Sequence, residues 1–576
     1  MQATRTSSDA PSTKRSWWID LCVLVALGMF LLGTVRVASQ WHQPMREAVE
    51  IDLTPWVLPK YMLFTLARGW IAYFFSLLFT LLVASWAYYD RRAQRFLIPA
   101  LDVLQSIPVL GFLPGLVLAF AWLFPHSNTG LELACILAIF TGQVWNMVFS
   151  YLDSLRAVPL EFRLVGKFYG FNWWHRFWRI ELPSGAQGLL YNSMVSMAGG
   201  WFFISVSETL RLGDKDFRLP GIGSYMSVAM EQGNKPAQLY GIIAMGVIIV
   251  VVDRLIWWPL VLWSRRFKLD DFAGAAVAPS DFQLWLSRSR LAGMMGRLME
   301  KLRHRFLTLP ARPAEMAPAE SVPTASVAGL WAYRLLVALL LASLAWGAIR
   351  LVVMLGQVPK AAWHEILYCT VISFGRVLAA VALGTLWTVP VGIWIGLNPK
   401  LSSRLQPFIQ FAASFPAPML YPWILALVLL AGSSLQWGAI LLILFGTQWY
   451  ILFNVAASAA AIPNDIVSCA TLLRLDRRHL WMRFLIPSVF PGLVTGWITA
   501  AGGAWNATIV SEYVQAGGKL YQATGLGALI SRATDAGDFP KLTAAVLVMA
   551  VVVVGINRTF WKKLQALADV RCRFGI

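Results

Sequence analysis

The 576-residue chain is short of charge. Only 13% of its residues are Asp, Glu, Lys or Arg, while 58% are hydrophobic, and mean hydropathy is +0.61. A soluble domain carries roughly 25% charged residues, so an ordinary water-soluble globular fold is excluded. Acidic residues are the scarcer sign, 29 against 48 basic, for a formal charge of +19. In a soluble chain that excess would point to nucleic acid. Among apolar runs of ~20 residues it reads instead as the bias that keeps Lys and Arg on the cytoplasmic side of a membrane. Cysteine is sparse and scattered. Cys22, Cys135, Cys369, Cys469 and Cys572 form no Cys-x-x-Cys pair, which argues against a disulfide framework or a thiolate metal site. A Gly-x-x-x-x-Gly-Lys-Ser/Thr phosphate loop is missing too, since Gly518-Lys519 lacks both the upstream glycine and the following hydroxyl. The sequence therefore gives no sign of a catalytic site, a metal centre or a cofactor of its own.

What is present is a repeat with fixed spacing. Val158-Pro159 and Leu182-Pro183 recur as Ile462-Pro463 and Ile486-Pro487, at an offset of 304. At the same offset Trp201 recurs as Trp505, Ser207-Glu208 as Ser511-Glu512, and Gly221-x-Gly223 as Gly525-x-Gly527. Upstream, Arg68, Trp86, Pro99, Pro108 and Pro114 map onto Arg376, Trp394, Pro407, Pro416 and Pro422 at an offset of 308. The first copy therefore holds four extra residues in between, which the turn Phe124–Gly130 against Ala431–Ser434 accommodates. A repeat this long means one fold built twice. The expected class is an all-α polytopic membrane protein of about twelve transmembrane helices, in two tandem six-helix halves related by a pseudo-twofold axis.

Hydropathy places spans near 17–38, 61–88, 98–123, 132–152, 186–207 and 238–264, then near 329–355, 365–396, 405–431, 435–460, 489–511 and 541–560. Tyr88–Phe96, Arg156–Arg179, Arg265–Arg305 and Arg474–Arg483 are rich in Lys and Arg, whereas the turns Pro125–Gly130 and Ala431–Gln436 have none. With six spans per half, every basic loop lies on the side of both termini, which the positive-inside rule makes cytoplasmic. The expected organisation is 1–54, a cytoplasmic N-terminus and first span; 55–265, a first permease-like domain; 266–328, a linker; 329–359, the first helix of the second half; 360–562, a second domain; and 563–576, a cytoplasmic tail. In the linker, Asp281–Arg305 reads either as an amphipathic helix on anionic membrane lipids or as a solvated helix, and Thr308–Ser326 as a flexible Ala/Pro spacer.

The duplicated loops, 153–185 and 458–488, fall on the cytoplasmic side between the fourth and fifth spans. Each starts and ends with a hydrophobic-Pro pair, and each proline disfavours continuation of the preceding helix. Between them Leu160–Tyr169 and Asn464–Leu473 can form short helices that face a partner. This spacing, with Ser106-Ile107-Pro108 and Ser414-Phe415-Pro416 before it and Ser-Glu after it, resembles the Glu-Ala-Ala loop of ABC-importer permeases, most closely the nitrate/taurine/sulfonate type. The resemblance covers two complete permease domains. The Glu-Ala-Ala positions are Leu164-Val165-Gly166 and Ser468-Cys469-Ala470, and the family glycine is Gly170 in one loop and Arg474 in the other. Glu161 and Asp465 are the nearby acids, read either as substitutes for the missing glutamate or as favourable charges at a helix N-terminus.

The resemblance implies a bacterial inner-membrane permease. ATP and Mg would sit on two nucleotide-binding domains of a separate ATPase gripping both loops. A periplasmic or lipoprotein binding protein would deliver a small, anionic solute such as nitrate, bicarbonate, a sulfonate or a carboxylate. Divergence between the loops implies docking on non-identical ATPase surfaces, or on a partner adapted to this permease. Candidates for the path or its gate are Trp201, Trp505, Glu208 and Glu512, with Gln143, Asn146 and Gln448 in the fourth spans. Each has a structural alternative: packing for the tryptophans, internal hydrogen bonding for the rest. Arg68 and Arg376, near the outer end of the second span, are read either as a basic pair suited to an anionic solute or as side chains that snorkel to the outer interface. The competing functions are an ion-coupled secondary transporter and a transport-inactive assembly or regulatory protein on the same fold.

Overall fold

The computed structural model describes residues 41, 50–212, 215–264, 267, 294, 327–463, 466, 468, 472 and 476–572. The expected first span at 17–38, nearly all of the 266–328 linker, and Asp465, Cys469, Ala470 and Arg474 lie outside them. In chain order the principal helices are α1 (Leu58–Tyr89), α2 (Arg91–Leu104), α3 (Val109–Leu123), α4 (Thr129–Arg156), α5 (Leu160–Phe168), α6 (Trp173–Ser207), α7 (Ile222–Glu231) and α8 (Lys235–Val261). The second series is α9 (Val327–Gly356), α10 (Lys360–Leu397), α11 (Pro399–Ser414), α12 (Tyr421–Leu430), α13 (Leu435–Ala460), α14 (Leu480–Ser511), α15 (Leu526–Asp535) and α16 (Phe539–Ala568). The chain is an all-α polytopic membrane protein, relieved only by two small antiparallel hairpins among the described residues: β1 (Arg211–Leu212) with β2 (Lys215–Asp216), and β3 (Tyr513–Ala516) with β4 (Lys519–Gln522). The sequence reading did not anticipate the hairpins. The second one turns on Gly517 and Gly518, both at positive φ, as a two-residue type I′ loop requires.

Eight helices among the described residues are long and apolar enough to cross a membrane. The expected third span of each half is not one straight helix. Arg91–Leu104 and Val109–Leu123 meet at 97°, and Pro399–Ser414 and Ala417–Leu430 at 82°. The breaks fall at Pro108 and Pro416, which force extended backbone where a helix would need αR and an N–H. Counting each bent pair once gives up to ten spans among the described residues. The 15 residues of α3 reach only about 22 Å, short of a ~30 Å hydrocarbon core.

A second correction concerns Pro183 and Pro487, expected to set helix boundaries. Both lie inside continuing helices. The turns before them widen to π geometry over Phe177–Glu181 and Leu480–Leu485, with the Leu182 N–H bonded to the Phe177 carbonyl and the Ile486 N–H to that of Trp481. The wider turn absorbs the missing proline donor, so the helix distorts and runs on. The fifth spans accordingly begin near Trp173 and Leu480 instead of near 186 and 489.

The described residues form two compact units, one of 149–194 with 251–264, 267 and 294, the other of 41, 50–148, 195–250 and 327–572. In the smaller unit, Gly185 and Gly188 lie against Tyr151 and Ser154, and a Cβ on Gly185 would come within 2.6 Å of the tyrosine ring. The larger unit packs α13 between two helices bearing Gly-x-x-x-Gly. Gly392 and Gly396 of α10 meet Val455, Ala456 and Ala459, while Gly492 and Gly496 of α14 meet Ser458, Asn454 and Ile451. Small residues at this spacing let helix backbones approach closely where lipid offers no hydrophobic driving force.

Candidate functional site

The first duplicated loop forms α5. Pro159 caps it in extended conformation, and Glu161 lies in its first turn. Its end is a Schellman motif: Phe171 N–H bonds to the Gly166 carbonyl at 2.8 Å, Gly170 N–H to that of Lys167 at 3.1 Å, and Gly170 takes φ 61°. The left-handed position favours glycine. Gly166 is buried, and a Cβ there would stand 3.0 Å from Ile180 Cδ1. With that side pinned, Leu160, Phe162, Leu164, Val165 and Phe168 are all exposed, Phe168 by 82%. Five outward apolar side chains on nine residues form an exposed apolar surface. In the second loop Pro463 and an exposed Ser468 are described.

The repeated Ser-Glu and Gly-x-Gly elements meet in space, in the larger unit, with the second-span arginines. Arg68 Nη1 donates to Glu208 Oε1 at 2.7 Å and to the Pro220 carbonyl at 2.8 Å. Arg376 Nη1 donates to Glu512 Oε1 and to the Thr524 carbonyl, each at 2.8 Å. Thr65 and Ser373 donate to the same glutamate oxygens at 2.8 and 2.7 Å, and in turn accept the Ile222 and Leu526 N–H groups. The other carboxylate oxygens accept Gly223 N–H at 2.8 Å and Gly527 N–H at 2.9 Å. Gly221 and Gly525 are needed for space. A Cβ on either would fall within 2.3 Å of the glutamate carboxyl. Arg68 and Arg376 therefore do not snorkel, being 1% and 6% exposed. They tie the second span to the segment following the fifth.

The two locks differ in charge. In the first, Glu132 accepts from Arg68 Nε and Nη2 at 2.6 and 2.7 Å and is 2% exposed. Its counterpart is Gln436, which accepts from Arg376 Nη2 at 2.6 Å. One buried arginine thus faces two carboxylates in the first copy and one in the second. Sequence inspection missed this pair because the substitution hides it at an offset of 304.

Both Trp201 and Trp505 are buried, the latter stacked at 6.4 Å on Phe374. Gln143 is buried beside Gly200 and donates to Met197 Sδ at 3.4 Å, Gln448 accepts from Trp387 Nε1 at 3.0 Å, and Asn146 is exposed. None of these residues, nor Glu208 or Glu512, lines the cavity of about 360 Å³ in the larger unit. Its walls come instead from the bent third spans, the ends of α6 and α14, the hairpins, and helices α7 and α15. Arg211, Glu231, Tyr513 and Asp535 are its conspicuous polar groups. Burial and the adjoining Asp535 carboxylate both push the Tyr513 hydroxyl upward, so it stays a donor to Asp535 Oδ2 at 2.5 Å. Glu231 and Asp535 are equivalent at an offset of 304, the signal by which they could have been found.

Comparison with known proteins decides the family. The family model of the binding-protein-dependent transport system inner membrane component matches residues 76–258 and again 388–560. The chain belongs to that family. The match covers both glutamates and both Gly-x-Gly elements, and it falls twice, as the repeat requires. The chain is 31% identical over 189 residues to the bicarbonate transport system permease protein CmpB of Synechocystis sp., covering 33% of this chain and 64% of that protein. It is 27% identical over 186 residues to the nitrate import permease protein NrtB of Leptolyngbya laminosa, covering 32% and 61%. The chain thus spans just under two thirds of the length of these relatives. A chain of the MetNI methionine ABC transporter in an inward-facing conformation aligns with a TM-score of 0.32 and 17% identity, over 37% of this chain and 99% of that one.

Proposed function

We propose that this chain is the transmembrane permease subunit of an ATP-driven importer in a bacterial inner membrane. Residues 55–265 and 360–562 form its two halves, and both termini face the cytoplasm. The observation that carries the reading is α5. It is a short helix rigidly capped by Pro159 and Gly170, presenting an apolar surface in the loop that precedes the fifth span, with a counterpart loop 304 residues on. Such an element can transmit force from a partner that closes on nucleotide. ATP and Mg bind on that partner, and an extracytoplasmic binding protein hands over the solute. The relatives named for bicarbonate and nitrate support a small solute bearing anionic character. Unequal binding of nucleotide and of solute-loaded binding protein to the two states drives the exchange. Co-purification with an ATPase subunit and an assay of binding-protein-stimulated hydrolysis in nanodiscs test the proposal. Phe168→Glu and Leu164→Glu should lower stimulated hydrolysis at least about tenfold, the equivalent of ~1.4 kcal/mol of docking energy, with unchanged thermal unfolding. Failure of any ATPase to co-purify would overturn the assignment.

A further inference from the structure

The cavity of about 360 Å³ falls within the ~300–1,000 Å³ of small-molecule sites. Its walls pair Glu231 with Asp535, Ser227 with Ser531, and Arg211 with Gln515, each at an offset of 304. The charges on the two walls are handled differently. On the first, Arg211 Nη2 bonds to Glu231 Oε2 at 2.7 Å and Nε lies 3.7 Å from Asp216 Oδ2. Arg218, only 8% exposed, holds Asp216 at 2.5 Å and reaches Glu231 at 3.3 Å. Two arginines therefore share two acids, one buried and one, Arg211, 41% exposed on the cavity wall. Arg211 can leave Glu231 for another anion while Arg218 continues to neutralise both acids.

At the offset of 304, Gln515 and Gln522 replace Arg211 and Arg218, and Gln515 lines the opposite wall. Asp535 there has the Tyr513 hydroxyl as donor and, among the described residues, no basic side chain within 4.0 Å. Between the charged groups run Met226, Met230, Met419 and Ile530, and the buried, unpartnered hydroxyl of Tyr421 belongs to a residue of the same lining. One wall thus offers a cation shared between two acids, the other an exposed carboxylate held by the Tyr513 hydroxyl and without an ion pair among the described residues, with apolar surface in between. We infer that the cavity takes a solute carrying both an anionic and a cationic group on an apolar spacer. Its carboxylate-like end meets Arg211 and its ammonium-like end meets Asp535. The inference rests on the importer reading and narrows its solute to a dipolar one.

The test uses the full chain in nanodiscs and titration calorimetry with ω-amino carboxylates of three to six carbons, the matching alkanoates and the matching alkylamines. For at least one length the amino carboxylate should bind about tenfold more tightly than either of its halves. Asp535→Asn should abolish the advantage over the alkanoate, and Arg211→Gln the advantage over the amine, with Tm unchanged in both variants. The inference is overturned if no length is preferred, or if both variants keep the preference. Preference without any ATPase partner would sink the importer reading alone. Stimulated ATP hydrolysis without preference would sink the dipolar solute alone.

Discussion

Asn506 in the fifth span of the second half accepts the backbone N–H of Leu110, in the first turn of the first half's α3, at 3.2 Å. The reverse tie is missing for a reason visible in sequence. The counterpart of Leu110 is Pro418, which has no N–H, and the counterpart of Asn506 is Phe202. A helix beginning at a break leaves its first amides unpaired. One half satisfies such an amide with a borrowed side chain, and the other deletes it. Asn506→Ala should therefore destabilise by about 1–3 kcal/mol, because it strands a partly buried donor. Removing the donor as well, in Asn506→Ala with Leu110→Pro, should cost less than the sum of the two single changes. A double-mutant cycle on SDS-induced unfolding measures the coupling.

The locks give a second asymmetry. Truncating Arg68 to Met leaves two buried carboxylates without their shared cation, whereas Arg376→Met leaves one, with a neutral Gln436 in place of the second. Breaking a buried pair costs about 3–5 kcal/mol, so Arg68→Met should be the more damaging at pH 7.5. Adding Glu132→Gln to Arg68→Met should bring that variant to the level of Arg376→Met. Unfolding of all three variants at pH 7.5 provides the comparison.

How much of this was legible depends on what each residue does alone and what it does in a pair. The membrane class, the duplication and the position of α5 follow from apolar runs and proline spacing, which are local properties. Pro108 and Pro416 were legible as equivalent positions, yet the spans around them were expected to be continuous, and the bends of 97° and 82° depend on what packs around each elbow. Pro183 misled because a π turn can absorb a proline, and no local signal separates that outcome from a helix start. Glu208, Arg68 and Gly221 were each noticed, but their union was not, because Arg68 meets Glu208 and Pro220 across 140 and 152 positions of sequence. Gln436 was invisible because it lacks the charge of its counterpart.

The space over the Gly-x-Gly segment yields a sharp contrast. Gly525 is in extended backbone, φ 177°, so conformation alone would permit alanine there. The added methyl would meet the Glu512 carboxyl at 2.2 Å and force apart the contact that seats Arg376. Gly525→Ala should cost several kcal/mol, as overpacking at a fixed polar group does, and reduce the yield of folded protein. Gly555, in a helix with nothing within 4 Å of where an added methyl would sit, is the control. There alanine should be neutral or stabilise by up to about 1 kcal/mol through helix propensity. Thermal unfolding in one detergent ranks the two.

The first hairpin should respond to acid. Partial burial of Asp216 opposes its ionisation, but hydrogen bonds from the Arg218 guanidinium and backbone outweigh this and hold the carboxyl below its ordinary range. A carboxylate depressed in the folded state contributes stability above its unfolded pKa, about 3.9, and loses that contribution as pH falls through the folded value. Hydrogen exchange at Arg211, Leu212, Lys215 and Asp216 should thus be slow and unchanged in its opening equilibrium from pH 7 to about 5. It should then rise as pH falls below about 4. The second hairpin, with Gln522 and Gln515 in place of the arginines, lacks this pairing and should show no matching rise at Val514 and Tyr521. Asp216→Asn should remove the acid response of the first hairpin and leave that of the second as it was.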